Sequence, residues 1–276
     1  MPFTPQAAVT LSASDWYPAP IRLPEPVFAI GDVHGCDAQL ASLLDRFSEL
    51  ASETPARLIL LGDLINRGPS SLAALTLLAS PELDARFTKV HRITGNHEQL
   101  LMLAIGSGAN AQAALSKLMG MDRATFLDEL RAATGRPDAP LTRELLLGAA
   151  GADIVARLDA LEHYVRLGNA IFVHGGIDPA VSVDAALSHP FGEFGGNHWA
   201  WIQQPFLAWR GGFGGALVIH GHTPPEKHRA LSGQDDPHVL QYDRLCLDGG
   251  SAVTGIVAGA QLEDGRYRVF KATGAV

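Results

Sequence analysis

The chain has 276 residues, 47% of them hydrophobic and 18% charged, with a formal net charge of −8. That is the composition of a soluble globular protein with a sizeable core, and the acidic balance excludes a surface that grips nucleic acid through clustered Lys and Arg. Two cysteines, Cys36 and Cys246, are too few for a disulfide scaffold and read as buried thiols in a reducing compartment.

Residues 1–25 lack a basic stretch followed by an apolar one, and no run of about 18 apolar residues occurs. Neither a signal peptide nor a membrane span is expected, which places the chain in the cytoplasm. Residues 1–26, with Pro2, Pro5, Pro18, Pro20, Pro24 and Pro26, show little periodicity. They predict an extended N-terminal arm lying on the domain formed by residues 27–276, pinned by packing of Trp16 and Tyr17.

From Val27 the pattern becomes regular. Apolar runs at 27–30, 57–61 and 89–94 predict strands, and helical spacing covers 37–50 (Leu40, Leu43, Leu44, Phe47) and 71–78. This alternation predicts βαβ units and a parallel sheet, with right-handed crossovers bringing every strand-to-helix turn to one edge. Residues 99–161, rich in Ala, Leu and Met and broken at 134–140, predict two or three amphipathic helices inserted beside the cleft. Asp122, Arg123, Asp128, Glu129 and Arg131 read as a solvated helix face there. Strands resume at 170–173 and 216–219, and the tail adds 244–247, 255–262 and 266–271, with Glu263-Asp264-Gly265 as a hairpin turn. Hairpin strands following crossover units predict a second, more antiparallel sheet.

Short polar motifs end these apolar runs: Gly31-Asp32-Val33-His34-Gly35, Gly62-Asp63, Gly95-Asn96-His97-Glu98, His174-Gly175-Gly176, Gly221-His222-Thr223 and a weaker Asp248-Gly249-Gly250. The first five put Asp, His and Asn at the carboxyl ends of strands, where an open α/β sheet gathers its ligands. Asp32 and His34 can face one ion from a single turn, and Asp63 can reach it from the next strand. The second oxygen of Asp63 can serve another ion, held also by Asn96, His174 and His222. Mixed oxygen and nitrogen donors favour manganese, iron or zinc over calcium or magnesium. Two divalent cations lower the pKa of a bridging water and neutralise phosphoryl charge, so the motifs predict metal-assisted hydrolysis of a phosphate ester. Arg67 is placed to grip the phosphate with its planar fork, and His97 to protonate the leaving oxygen. Lone histidines carry blander readings. His220 and His91 read as core residues, and His163, His189, His198, His228 and His238 as surface or loop.

At GDVHG (31–35), GDLINRG (62–68), GNHE (95–98), HGG (174–176) and GHT (221–223) the chain resembles the calcineurin-like metallophosphoesterases, and within them the phosphoprotein phosphatase superfamily. The resemblance implies an α/β fold in which a sandwich of two sheets is flanked by helices. It also implies a binuclear site, with Asp32, His34 and Asp63 on one ion and Asp63, Asn96, His174 and His222 on the other. HGGIDP (174–179), WIQQPFL (201–207), HGHTP (220–224) and LDGGSAVTG (247–255) are most similar to small bacterial protein-phosphatase-like enzymes. Thr223 stands where cyclic-nucleotide phosphodiesterases and nucleases continue to a second histidine, which argues against those branches.

One position departs. The family's second motif carries Asp before the Arg, and here it is Asn66. That Asp orients the catalytic histidine, so Asn66 is expected to accept a hydrogen bond from His97 without supplying charge, leaving a weaker general acid. GDLxxRGPxSL (62–72) also resembles the symmetrical hydrolases of diadenosine tetraphosphate, which likewise lack that Asp. Gln203 stands where relatives carry Arg, with Arg210 as a candidate replacement. Substrate choice is expected from the inserted helices and from residues 188–210, with Trp199, Trp201 and Trp209 either lining the cleft or packing beneath it.

The main expectation is therefore a phosphatase that acts on phosphoserine or phosphothreonine proteins, or on small phosphoesters, by direct attack of a metal-bridging hydroxide. A dinucleoside polyphosphate hydrolase is the alternative. A non-catalytic metal-binding module disabled by Asn66 is a third reading.

Overall fold

A computed structural model describes residues 8–121 and 125–276. Asp122 and Arg123 lie outside them. The chain opens with two short strands, β1 (Thr10–Ala13) and β2 (Tyr17–Pro18), within the stretch expected to be an extended arm. Both pair antiparallel with β11 (Arg266–Thr273), far along the sequence. The Trp16 ring lies against the guanidinium groups of Arg266 and Arg268, at 4.1 and 4.8 Å, and Tyr17 stacks on Tyr267 at 5.3 Å.

The expected alternation follows: β3 (Val27–Ile30), α1 (Asp37–Glu53), β4 (Arg57–Leu60), α2 (Ser71–Ala79), α3 (Pro81–Arg86) and β5 (Lys89–Arg92). In β3 and β4 successive side chains face opposite ways, so both faces are apolar. Phe28, Ile30, Leu58 and Leu60 pack under α1, whereas Val27, Ala29 and Ile59 face the second sheet. Next come α4 (Asn96–Ala104), α5 (Ala111–Met121), α6 (Thr125–Thr134), α7 (Arg143–Ala150) and α8 (Ala152–Asp159). They number more than the two or three helices expected for 99–161, and the first begins on the Asn96 motif itself.

Glu129 of α6 is not on a solvated face. Its carboxylate accepts the N–H groups of Ser71 and Leu72, both at 2.9 Å, and caps the otherwise unsatisfied start of α2. Asp128 is exposed, as expected.

The second half contains β6 (Tyr164–Leu167), β7 (Ala170–Val173), α9 (Val183–Leu187), α10 (Gln204–Ala208), β8 (Leu217–His220), α11 (Pro225–Ser232), β9 (Arg244–Cys246), α12 (Ser251–Thr254), β10 (Ile256–Glu263) and β11. Among the described residues the first sheet runs β1-β11-β10-β3-β4-β5, with β2 also on β11, and the second runs β6-β7-β8-β9. The expectation for the second sheet is thus corrected. The C-terminal hairpin joins the first sheet, β10 pairing antiparallel with β3, and the second sheet is largely parallel through β7, β8 and β9. The cause is burial: β10 is covered on both faces, as a central strand must be, and contributes Val257 to one core layer and Ala260 and Leu262 to the other.

The two sheets pack face to face through one apolar layer, in which Ile59 and Leu61 meet Phe172, Ile219 and Leu245. Helices cover the outer faces, with Trp199, Phe206 and Leu207 over β7 and β8. Both cysteines are free and buried. No helix among the described residues is long and apolar enough to cross a membrane.

Of the histidines expected at the surface or in loops, three are buried. His198 and His238 lie in loops but are buried against the carbonyls of Pro190 (3.2 Å) and Cys246 (2.8 Å), and His228 is buried on α11. His163 stacks on Trp199 at 4.8 Å. His220 and His91 are buried as expected, His91 bonded to Glu162 at 2.9 Å.

Candidate metal centre

The turns after β3, β4, β7 and β8 and the first turn of α4 meet at one edge of the sandwich. Several of them are left-handed: His34 (φ 45°), Asp63 (52°), Asn66 (68°), Arg67 (69°) and His222 (70°). For residues with a Cβ this costs roughly 1–2 kcal/mol each, and such strain collects at functional sites. Glycines leave room for the carboxylates. A Cβ at Gly95 would lie 2.2 Å from Asp63 Oδ1, and one at Gly221 would lie 2.1 Å from Asp32 Oδ1.

All six expected ligands are buried or nearly so and converge. Asp63 sits in the middle, with Oδ2 at 3.6 Å from His34 Nε2 and Oδ1 at 3.4 Å from His174 Nε2. Asn96 Oδ1 is 3.0 Å from the same His174 nitrogen. Donor atoms of Asp63, His174 and His222 all lie within 4.8 Å of one another, and so do those of His34, Asp63 and His97. Asp32 stands slightly back. Its Oδ2 is 4.0 Å from His34 Nε2, and its two oxygens accept the His222 N–H at 2.9 and 3.1 Å.

Each expected ligand histidine is fixed through one ring nitrogen to a backbone carbonyl. His34 Nδ1 meets Ile65 O at 2.9 Å, His174 Nδ1 meets Leu61 O at 2.9 Å, and His222 Nε2 meets Trp201 O at 3.0 Å. The opposite nitrogen faces the cluster, beside Arg67 Nη1 in His34 and Asn96 Oδ1 in His174, and is the atom that would meet a cation, the usual arrangement of metal-holding histidines.

Electrostatics point the same way. Burial holds His34 down to about 4 and His222 down to about 3, so both are neutral. Burial also works to lower His174, but Asp63 overrides it and raises His174 to about 10. Asp63 is itself opposed by burial, yet His174 and then His97 hold it well below the usual carboxylate range. Burial, then Asp248, pushes Asp32 well up; burial, then Asp63, pushes Glu98 up to about 7. Carboxyls crowded in this way suit divalent cations, which would neutralise them. The donor set fits two such ions.

His97 and Asn66 are joined. The Asn66 Nδ2 lies 3.0 Å from His97 Nδ1, so the amide donates, where acceptance was expected. The ring proton then sits on Nε2, which is buried without a hydrogen-bond partner and lies 3.9 Å from Asp63 Oδ2. Arg67 reaches the same space, with Nη1 3.0 Å from His34 Nε2.

A cleft of about 310 Å³ opens over Asp63, Asn96 and His222, rimmed by Arg67, Lys117, Trp201, Gln203 and Lys227. Lys117 of α5 lies over the Trp201 ring at 4.9 Å. Trp201 therefore lines the cleft, Trp199 is buried beneath the loop, and Trp209 is 41% exposed. Arg210 is bonded to the carbonyls of Leu207 and Ser232 and does not line the cleft, so it does not replace the arginine missing at Gln203.

Sequence reasoning assigned no role to two residues that matter here. Glu98 accepts the N–H groups of Asp63 (2.7 Å), Leu64 (2.8 Å), Ile65 (3.3 Å) and Gly95 (3.2 Å), and so fixes the whole Asp63 turn. Gln99 donates to the Phe191 and Glu193 carbonyls at 2.7 and 2.8 Å and accepts from Trp201 Nε1 at 2.6 Å, tying α4 to the loop at 188–210. Asp248, of the weaker sixth motif, is buried beside Asp32 and Asp63. Glu98 and Gln99 follow the Asn96-His97 pair, and that adjacency was the one available signal.

The chain is similar to known proteins. The chain is 32% identical over 169 residues to the symmetrical bis(5'-nucleosyl)-tetraphosphatase of Paracidovorax citrulli, covering 59% of this chain and 48% of that protein. It is 35% identical over 164 residues to the protein of the same name from Methylococcus capsulatus, covering 59% and 47%. The chain thus spans about half the length of these curated relatives. Its fold is similar to that of a candidate diadenosine tetraphosphatase (TM-score 0.53, 21% identity, 91% of this chain and 94% of that one). It is equally similar to a variant of a cold-active protein tyrosine phosphatase (TM-score 0.53, 18% identity, 88% and 77%). The family model for calcineurin-like phosphoesterases matches residues 25–259, which contain every motif described above, and the chain belongs to that family.

Proposed function

We propose that this chain hydrolyses dinucleoside polyphosphates, with two divalent cations, manganese first among the candidates, held by Asp32, His34, Asp63, Asn96, His174 and His222. The observation that carries this reading is the contact between Asn66 and His97. An Asp there would raise the pKa of His97 by a unit or more. Asn66 brings no charge, and burial holds His97 well below its ordinary value. Such an imidazole is seldom in its charged form near neutral pH, which leaves little proton donor for a serine alkoxide. It suffices for a phosphoanhydride, whose leaving diphosphate needs little help. Cleavage of the central P–O–P link of a tetraphosphate adds one water and gives two nucleoside diphosphates.

The rim of the cleft supports the same class. Arg67 can take one phosphoryl group, and Lys117 and Lys227 add two further cations to a protein that is acidic overall. That is more positive charge than a single phosphomonoester needs. Trp201 lines the same cleft, and a base would stack on its ring in place of Lys117. The relatives bear the matching name, and together these reverse the order in which the sequence alone ranked phosphoproteins and dinucleotides. When bound, the cations would lower the pKa of water and neutralise phosphoryl charge. His97 Nε2 would carry the proton for the leaving oxygen, Arg67 would orient the phosphate, and Asn66 would set the His97 tautomer.

The test is a comparison of kcat/KM for diadenosine tetraphosphate and a phosphoserine peptide at equal metal loading. The dinucleotide should lead by about 100-fold, a difference of roughly 2.7 kcal/mol in transition-state binding. Lys117→Ala should raise its KM severalfold while leaving para-nitrophenyl phosphate unaffected. Preference for the phosphopeptide would overturn the reading.

A further inference from the structure

We infer a further cation site, apart from the cleft, in which His220, His228 and Cys246 hold a zinc ion on the outer face of the second sheet. Donor atoms of these three residues lie within 4.8 Å of one another, and none belongs to the groups around Asp63. Two come from the ladder itself. His220 ends β8, Cys246 ends β9, and the two are register partners in a parallel pair, so they project side by side from one face. His228 comes from α11.

All three are buried, and their polar atoms are not all bonded. His220 Nδ1 is bonded to Gly221 O at 3.0 Å, while its Nε2 has no partner although the residue is 0% exposed. Buried polar atoms nearly always find a partner, so this one calls for an explanation. His228 is anchored in the manner of a metal-holding imidazole, with Nδ1 3.0 Å from Ser232 Oγ and Nε2 left over. The Cys246 thiol donates to carbonyls, at 3.6 Å to Thr223 O and 3.7 Å to Gly221 O, and keeps the sulfur's lone pairs for an ion. Thr223 brings its carbonyl oxygen to the sulfur of Cys246. Two imidazoles, a thiol and a neighbouring oxygen are zinc chemistry, and a poor match for the oxygen-preferring manganese, magnesium or calcium. Arg244 is the nearby opposing charge, and its guanidinium is committed to the carbonyls of Phe206 and Trp209.

On binding, the Cys246 thiol releases its proton to solvent and the thiolate takes its place on the ion. The ion would join the ends of β8 and β9 to α11, whose Lys227 lines the cleft.

Because every ligand expected in the cleft is an oxygen or nitrogen donor, a thiolate signal reports this site alone, whether or not the chain hydrolyses anything. The full chain is loaded with cobalt(II) as the spectroscopic substitute, and zinc content is measured in parallel. A near-ultraviolet thiolate-to-cobalt charge-transfer band is expected, retained in Cys36→Ser and absent in Cys246→Ser, which should also bind one equivalent of zinc fewer. Should Cys246→Ser fail to fold, His228→Asn carries the test, with a weakening of cobalt binding of about tenfold or more. A wild-type chain without the band, or a band that survives Cys246→Ser or is indifferent to His228→Asn, would overturn the proposal.

Discussion

The two sheets contribute to one rim by different means. The first supplies Asp32, His34, Asp63 and, at the start of α4, Asn96. Its turns are left-handed at four residues, His34, Asp63, Asn66 and Arg67, and the Glu98 carboxylate holds the one at Asp63. The second supplies His174 and His222, each aimed by a single carbonyl, and one of those carbonyls, Leu61 O, belongs to the first-sheet side. Both carboxylates and four of the five left-handed residues thus lie on one side, and on the other His222 alone is left-handed. A lesion on the first side should disturb several donors at once, and a lesion on the second only one.

Asp63→Asn is the strongest test of that asymmetry. It removes the carboxylate that stands between His34 and His174, and should lower kcat/KM by about 1,000-fold or more and halve the metal bound in the cleft. His222→Asn, on the other side, should cost measurably less; equal losses would break the comparison. Glu98→Gln keeps the shape and removes the charge that organises the Asp63 turn. A loss of about 10- to 100-fold in metal affinity or activity is expected, the range typical of groups that orient ligands.

Asn66→Asp works in the opposite sense. It should raise the pKa of His97 by about one unit and flatten the dependence of rate on leaving-group pKa across a series of aryl phosphates. An unchanged slope would show that His97 does not protonate the leaving oxygen. The smallest effect belongs to the second-sheet side. Burial holds His198 down to about 4, from an ordinary 6.5, and its Nδ1 accepts the Ala200 N–H at 3.2 Å. Below pH 6.5 the unfolded chain therefore takes a proton that the folded chain refuses, and stability falls until about pH 4. In His198→Gln the drop in melting temperature across that window should be shallower by ~2–4 °C.

The rim was legible in the sequence because its marks are local. Fully buried strands write four apolar residues in a row, and Gly-Asp, Asn-His and Gly-His at their ends are out of place unless something is bound there. What escaped was non-local. Glu98 acts on backbone amides more than thirty residues away, Glu129 caps a helix 58 residues upstream, and β1 pairs with the far end of the chain. The edge strand β1 is mostly exposed, so its composition carries no alternation to read. The hairpin β10–β11 was recognised as a hairpin, but nothing within it says which sheet it will join.

The glycines beside the carboxylates have a practical consequence for anyone wishing to evolve this protein. Gly221 and Asp32 are separated by most of the chain, yet a single methyl on one would collide with the other. Mutational libraries that treat loop glycines as tolerant positions will be filled with inactive clones. Diversity placed instead along α5 and in the 188–210 loop would reshape what enters the cleft while sparing the mould that shapes its floor.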